Sequence, residues 1–307
     1  MGFIVRVINS YFVILVAALV LGMAFSGQVV VLEPFSTVFL GIIFFLSALK
    51  IDLKEVISYL GAKKMIFVVN LFMLIAFPVV VYYLTLSVVP ALAIAFMILA
   101  AMPSGMTDPL LSEISGGRQS LALVLTISTS LLAPLTVPLV IKLLAGQAVA
   151  VSFSTMFLSL AKIIFIPFVI ANIIKFFWNE SIKKISSGFR PVSIIFLGLL
   201  IMGIVAKQAD VIIEGLKGGQ SLTYLAYLFI LFIIFHIIGY FSVFWREKRD
   251  RITVTVCLSY MNFTLAIYLV DKFFSDPNII VPVILSVVPW SVLFPLFKYG
   301  TRKNNLI

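Results

Sequence analysis

This chain has little charge, one cysteine and one histidine, and each shortage excludes something. Charged residues make up 11% of its 307 positions, where a soluble domain carries roughly 25%. The lone Cys257 cannot form an intramolecular disulfide, and with His236 as the only histidine no metal-ligand cluster appears. There is no phosphate-binding loop, no dinucleotide fingerprint and no nucleophile–base pair. ATP-driven pumping, redox chemistry and enzymatic catalysis are left without support, and no organic cofactor is expected. Low-complexity tracts and a soluble domain are also missing, so no protein partner is implied.

What fills the chain instead is apolar. Hydrophobic residues account for 63% of it and mean hydropathy is +1.22, the composition of a polytopic protein whose surroundings are the lipid bilayer. A hydrocarbon core of about 30 Å takes about 20 apolar residues per helix. Ten such spans can be drawn: 4–26, 34–51, 64–88, 91–115, 119–145, 153–177, 191–209, 221–245, 252–274 and 279–299. The first resembles a signal peptide, with Arg6 before an apolar run and Ala24-Phe25-Ser26 as a small-residue cleavage site. The charge pattern works better if it is kept as a span. The net charge of +10 sits in short loops, so it reads as an orientation signal and not as a nucleic-acid surface. Of the 22 Lys and Arg, 17 fall on the side holding both termini. Four, Lys142, Lys207, Lys217 and Lys272, fall on the other, and Lys162 lies inside a span. This asymmetry places both termini in the cytoplasm, for a multi-pass protein of the cytoplasmic membrane.

Two sets of five spans, 1–148 and 149–307, must enter the membrane in opposite senses, which is the inverted-repeat design. Pro134, Pro138, Lys142 and Gly146 of the fifth span have counterparts in similar order in the tenth: Pro289, Pro295, Lys298 and Gly300. The fourth span carries the sharpest signal. It is helix-like to Met102, then meets Pro103-Ser104-Gly105-Met106-Thr107-Asp108-Pro109 before helical sequence resumes. Each proline removes a backbone donor and clashes with the turn before it. Irregular backbone persists at membrane depth only where protein buries it or a polar cavity lines it. A break carrying an acid therefore points to a substrate or ion site. If the halves correspond, the ninth span should break too. Ser259, Asn262 and Thr264 cluster at its centre, but no Pro or Gly forces an interruption. A continuous helix, its hydroxyls bonded back to its own carbonyls, is the alternative.

Asp108 leads the candidates, because an acid near mid-membrane is costly unless paired, hydrated or protonated. It stands where the helix resumes, so one role is to cap that helix, with Pro109 following. The other is to bind an ion, a proton or the substrate. Ser104, Gly105 and Thr107 of the same break, Thr126 of the fifth span, and Ser259, Asn262 and Thr264 of the ninth complete the polar set. Ser128 either lines the site or bonds back to its helix. Glu113 is expected to face Arg118 near the interface. Lys162 lies too deep to snorkel easily and should pair with an acid, coordinate carbonyls or approach an anionic substrate. His236 suits a helix–helix hydrogen bond or a proton relay.

The run Met102-Pro103-Ser104-Gly105, Gly116-Gly117, Leu121, Thr126, Ala133-Pro134 and Pro138 resembles the bile acid:sodium symporter family of the bile/arsenite/riboflavin transporter group. So do the stretch 40–46, Leu49 with Asp52, Lys162 with Pro167, His236 with Gly239-Tyr240, and Met261-Asn262 with Leu265-Ala266. The resemblance spans nearly the whole chain in one order. It implies an all-α membrane protein of ten transmembrane helices in two inverted five-helix repeats, with a panel and a core domain. Broken helices 4 and 9 would cross at the centre of the core, with ions behind the crossing and an organic anion in a cavity between the domains. At the family's sodium-site positions this sequence reads Met73, Asp108, Pro109, Ala122, Cys257 and Met261, and only Thr126 and Asn262 keep the pattern. Hard cations prefer oxygen to sulfur ligands, so two-sodium coupling is not expected.

The resulting expectation is a secondary active transporter of a small organic anion, working by alternating access. At most one sodium would bind, at Asp108 and Thr126, or a proton would exchange on Asp108, with Lys162, His236 and Cys257 in support. One alternative is an arsenite or metalloid exporter of the same group, whose members carry a fourth-span cysteine that this chain lacks. Another is a non-transporting membrane receptor or scaffold, which would need an output domain.

Overall fold

The computed structural model describes residues 11–51, 63–146 and 152–303. Arg6, Asp52, Lys54 and the 148/149 division lie outside them. Among the described residues six helices are long and apolar enough to cross a bilayer by length and composition: Ser26–Lys50, Lys64–Val88, Gln119–Ala145, Phe153–Lys207, Gln220–Phe241 and Pro277–Arg302. Phe153–Lys207 is two helices, Phe153–Ile185 and Phe189–Lys207, joined by the turn Ser186–Gly188. The first of these runs past the expected end at 177, with non-helical backbone at Trp178 (φ −129°, ψ 33°). The apolar helices Val13–Ala24 and Pro90–Ala101 and the pieces of the fourth and ninth spans are shorter. Length alone therefore finds fewer crossings than hydropathy does.

The helices pack as two groups. Tyr11–Ala24 lies on Phe189–Lys207, and Ser36–Lys50 lies on both Phe153–Ile185 and Phe189–Lys207. A Cβ at Gly22 would come within 2.9 Å of Val205, and one at Gly198 within 2.9 Å of Ile14, so small residues set the first of these contacts. The second group gathers Lys64–Val88, Gln119–Ala145, Gln220–Phe241 and Pro277–Arg302 around four short helices: Ala93–Ala101, Asp108–Ile114, Lys248–Ser259 and Phe263–Phe273. In Lys64–Val88 a π-helical turn, Phe72–Ala76, precedes Pro78. The wider turn relieves the clash between the proline ring and the carbonyl four residues earlier.

Burial explains why interrupted helices survive in the second group. Ala93–Ala101, except the partly buried Ile94, and the stretches 252–259 and 263–271 are buried throughout. The first group instead exposes Ile166, Val169, Ile173 and Phe176 along one helix. Backbone groups freed by a break find protein partners only in the enclosed position.

Candidate functional site: crossed helix breaks beside a cavity

The first break spans 102–107. Met102 is extended (φ −69°, ψ 144°), as the residue before a proline prefers. The second break spans 260–262, between Lys248–Ser259 and Phe263–Phe273, so the ninth span is interrupted although no proline or glycine lies there. The first break holds it open. Ser104 and Met261 form an antiparallel bridge, and the Asn262 N–H donates to the Pro103 carbonyl at 2.8 Å. Asn262 Oδ1 accepts from the Leu265 N–H at 3.0 Å and so caps the resumed helix. His236 braces the same turn. Its Nδ1 lies 2.6 Å from the Phe232 carbonyl oxygen and its Nε2 2.7 Å from the Tyr260 hydroxyl. With Nδ1 donating to that carbonyl, a neutral His236 accepts the tyrosine proton at Nε2, which is a helix–helix hydrogen bond.

Asp108 is not the cap. Thr107 holds the cap position without a side-chain hydrogen bond, and Asp108 is the first residue of the helix Asp108–Ile114. Its carboxylate turns back into the break, where Oδ2 accepts from the Gly105 N–H at 2.8 Å. The Gly105 carbonyl accepts from the Asp108 N–H at 3.0 Å and from the Thr126 hydroxyl at 3.4 Å. The Asp108 carboxylate and the Thr126 hydroxyl therefore grip opposite polar groups of one glycine. A Cβ on Gly105 would lie 2.5 Å from the Tyr260 carbonyl oxygen and 2.9 Å from Asp108 Oδ1. Only a residue without a side chain lets the two breaks come this close.

Asp108 is fully buried and its Oδ1 has no hydrogen-bond partner; the buried hydroxyls of Ser104 and Ser259 have none either. Cys257 is buried beside Ser104 and Asp108. Buried polar atoms are rarely left unsatisfied, and these three of the exceptions in the protein lie together at or beside the two facing breaks. Among the described residues no group of three His, Cys, Asp or Glu side chains could hold a metal. The orphaned donors are oxygens, the type a hard cation takes.

On the other face of the breaks lies a cavity of about 400 Å³ between the two helix groups. Gly105, Thr107, Thr126, Asn262 and Thr264 line it from the second group, and Ser47, Lys50, Arg190 and Ser193 from the first. Ser104, Asp108, Cys257 and Ser259 are absent from its wall. The expected site residues thus divide into a cavity-facing set and a set behind the breaks.

Two expectations need correcting. Lys162 is exposed on Phe153–Ile185 between the buried Leu160 and Ile163, and it forms no ion pair or hydrogen bond among the described residues. The helical phase at 162 points it away from the protein. Glu113 does not meet Arg118, which pairs with Glu247 and, at 3.0 Å, with Asp250. Of the two alternatives for Ser128, the back-bonded one holds: its hydroxyl bonds to the Leu125 carbonyl at 3.2 Å and also to Asn70 Oδ1 at 3.1 Å, and it does not line the cavity. Sequence reasoning also missed Thr129, whose Oγ1 accepts from the Ser104 N–H at 3.2 Å. Its position three residues after Thr126 puts it on the same helix face, which was the available signal. Lys50 and Arg190 entered only as orientation charges, since nothing local shows that two distant loop ends face one cavity.

Comparison with known proteins agrees with the sequence resemblance. The SBF-like CPA transporter family matches residues 7–292. The chain is similar to an uncharacterized sodium-dependent transporter, YocS, of Bacillus subtilis (strain 168), with 23% identity over 197 residues, 64% of this chain and 61% of that protein. It is similar to the probable chloroplastic sodium/metabolite cotransporter BASS2 of Oryza sativa subsp. japonica, 22% identical over 211 residues, 67% of this chain and 48% of that protein. It is also similar to sodium/bile acid cotransporter 7 of Danio rerio, 27% identical over 215 residues, 66% of this chain and 64% of that protein. Each match spans less than two thirds of the relative's length. Since the family match runs from residue 7 to residue 292 of the 307, the chain belongs to the SBF-like CPA transporter family.

Proposed function

We propose that this protein is a secondary active transporter that moves a small organic anion across the cytoplasmic membrane by alternating access, with one cation coupled at the crossed breaks. The observation that carries this reading is the Asp108 carboxylate, fully buried, with one oxygen unpartnered, directly behind a break whose front faces the cavity. An ionised carboxylate so placed costs several kcal/mol unless something compensates it. Its charge must be met by a cation or removed by a proton, and either event acts on the same Gly105 turn that forms the cavity wall. The names of the relatives, a sodium-dependent transporter and sodium cotransporters, favour sodium. Asp108 Oδ1 with the Ser104 and Ser259 hydroxyls would supply its oxygens, and Thr126 reaches the same turn through the Gly105 carbonyl. A second sodium would have to use the buried sulfurs of Met73, Cys257 and Met261, which suit it poorly.

Two inverted repeats, 1–148 and 149–307, are supported by the way the helices pair. Tyr11–Ala24 packs on Phe189–Lys207 as Phe153–Ile185 packs on Ser36–Lys50. Phe77–Val88 packs on Ala93–Ala101 as Gln220–Phe241 packs on Lys248–Ser259. Gln119–Ala145 packs on Lys248–Ser259 as Pro277–Leu285 packs on Ala93–Ala101. Each pairing becomes its partner when the spans are shifted by five.

The cytoplasmic placement of both termini draws support from the ion pairs. Among the described residues each joins groups that the charge pattern assigns to one side: Arg118 and Arg246 with Asp250, Lys183 with Glu180, and Lys207 with Glu33 and Asp271. Lys207 ties the first helix group to Asp271 of the second at the outer end, while the cavity reaches Lys50 and Arg190 at the inner one. That is the arrangement of an inward-open conformer. Thiol labelling of Lys183→Cys and Lys217→Cys should report opposite sides, and labelling of both from outside would overturn the orientation.

The function itself is tested in proteoliposomes screened with small labelled carboxylates and sulfonates under imposed sodium or proton gradients. Gradient-driven uptake with a sodium Hill coefficient near one is expected. A coefficient near two, or accumulation indifferent to every ion gradient, would contradict the coupling scheme.

A further inference from the structure

Lys207, the last residue of Phe189–Lys207, is shared between two acids. Its Nζ lies 3.0 Å from Glu33 Oε1 and 2.9 Å from Asp271 Oδ1. The two pairs differ in what they join. Glu33 belongs to the first helix group: it sits in the 3-10 turn Val30–Phe35, and a Cβ on Gly203 would lie 2.7 Å from its backbone nitrogen. Glu33 and Lys207 are therefore held on one body. Asp271 belongs to the second group, near the end of Phe263–Phe273, the helix that resumes from the second break. Its side chain is 2% exposed and would gain water if the groups parted. Thr264, Tyr268 and Asp271 follow one another on this helix at spacings of four and three residues, which puts them on one face. Thr264 lines the cavity. The Tyr268 hydroxyl lies 3.4 Å from the hydroxyls of Thr37 and of Ser159 in the first group. A polar strip thus runs from the cavity to the outer end, and its last bond is the pair Lys207–Asp271.

We infer that Lys207 is an outer latch with one fixed and one exchangeable partner: the outer end opens by breaking Lys207–Asp271 while Glu33 keeps the cation paired. Removing Glu33 harms the open state more than the closed one, because only in the closed state does Lys207 retain a second acid. In the closed state Glu33 also repels Asp271 across the shared ammonium, which weakens the seal. Lys272 attracts Glu33 in the opposite sense. It is exposed and forms no ion pair among the described residues, so solvent and salt weaken its pull. The two acids therefore act in opposite directions: Asp271 holds the outer end shut and Glu33 favours its opening. The inference rests on the alternating-access reading and on its orientation, and it adds the residues that set the balance between the two states.

The test uses Thr264→Cys in the cavity wall as a reporter, in sealed right-side-out vesicles. A membrane-impermeant thiol reagent reaches it from outside only when the outer end parts. Rates are normalised to those of Ser275→Cys, exposed in the loop after Phe263–Phe273, so that changes in surface charge cancel. The chain without an added thiol reports any reaction at the buried Cys257. Asp271→Asn should raise the normalised rate about fivefold or more, as the loss of one charge-assisted hydrogen bond allows. Lys207→Gln, which leaves the two acids facing each other, should raise it as well. Glu33→Gln should lower it by about twofold, the scale of a partly exposed pair. If Asp271→Asn fails to fold, the opposite signs of Lys207→Gln and Glu33→Gln carry the test. A rate raised by Glu33→Gln, or rates unchanged in all three variants, would overturn the latch. Unchanged rates together with gradient-driven uptake would remove the latch and leave the transport reading. Opposite shifts in a protein without gradient-driven uptake would remove the transport reading and leave the latch standing.

Discussion

The two breaks that meet at the centre of this protein are built by opposite means. The first is written into its own residues: two prolines and a glycine within seven positions stop the helix wherever it is placed. The second contains neither, and its helix stops because Ser104 and Pro103 of the first break take its backbone as a partner. Their polar residues are exchanged as well. Asn262, a neutral amide, does the capping expected of an acid, while the acid Asp108 leaves its helix uncapped and turns towards Gly105. The first break is therefore locally stable but chemically strained, and the second is locally well capped but open only through tertiary contact. A carboxylate released from capping is available for an ion.

The contrast makes quantitative demands, the largest at their point of contact. Gly105→Ala drives a Cβ against a backbone oxygen of the second break. It should cost about 3 kcal/mol or more, the upper range for overpacking, measured as thermal unfolding of the purified protein in detergent. Gly41→Ala, where an added Cβ meets nothing within 4 Å, is the control. If both variants melt alike, the close approach of the breaks is wrong. Tyr260→Phe removes the hydroxyl that His236 Nε2 accepts from and leaves a half-buried acceptor unpaired, for a loss of about 1–2 kcal/mol. His236→Phe added to it should cost much less than two independent losses, and full additivity would show that the two side chains do not act together. Asn262→Ala should lose about 1 kcal/mol as the cap goes, with Asn262→Asp retaining most of it. Smallest of all, Thr107→Ala should stay within about 0.5 kcal/mol, because Thr107 makes no capping bond. A larger effect at Thr107 than at Asn262 would invert the comparison.

How much of this was legible beforehand follows the same division. Hydropathy reports spans, and Pro103, Gly105 and Pro109 report the first break, because both signals are local. The second break is not local. Nothing within 260–262 distinguishes it from a continuous helix, and only the expected symmetry with the fourth span suggested it. The choice between the two roles open to Asp108 is hidden for a similar reason. A residue that opens a helix after a threonine looks like a cap, but side-chain direction depends on the Gly105 N–H, which becomes available only once the chain folds back. Lys162 was judged by depth, which sequence supplies, when helical phase decided its surroundings. The cavity's two cations lie 140 positions apart and are joined solely by helix packing.

The claim that Asp108 couples ion movement to substrate movement has one direct test. Asp108→Asn keeps an oxygen able to accept from the Gly105 N–H and removes the charge, so the break should stay folded while losing its hold on a cation. In proteoliposomes, uptake of any substrate identified by the gradient screen should persist in this variant as slow equilibration down its own gradient. Accumulation driven by sodium or protons should vanish. Undiminished gradient-driven accumulation in Asp108→Asn would contradict the account, leaving Asp108 as a structural brace for Gly105 and the coupling site elsewhere.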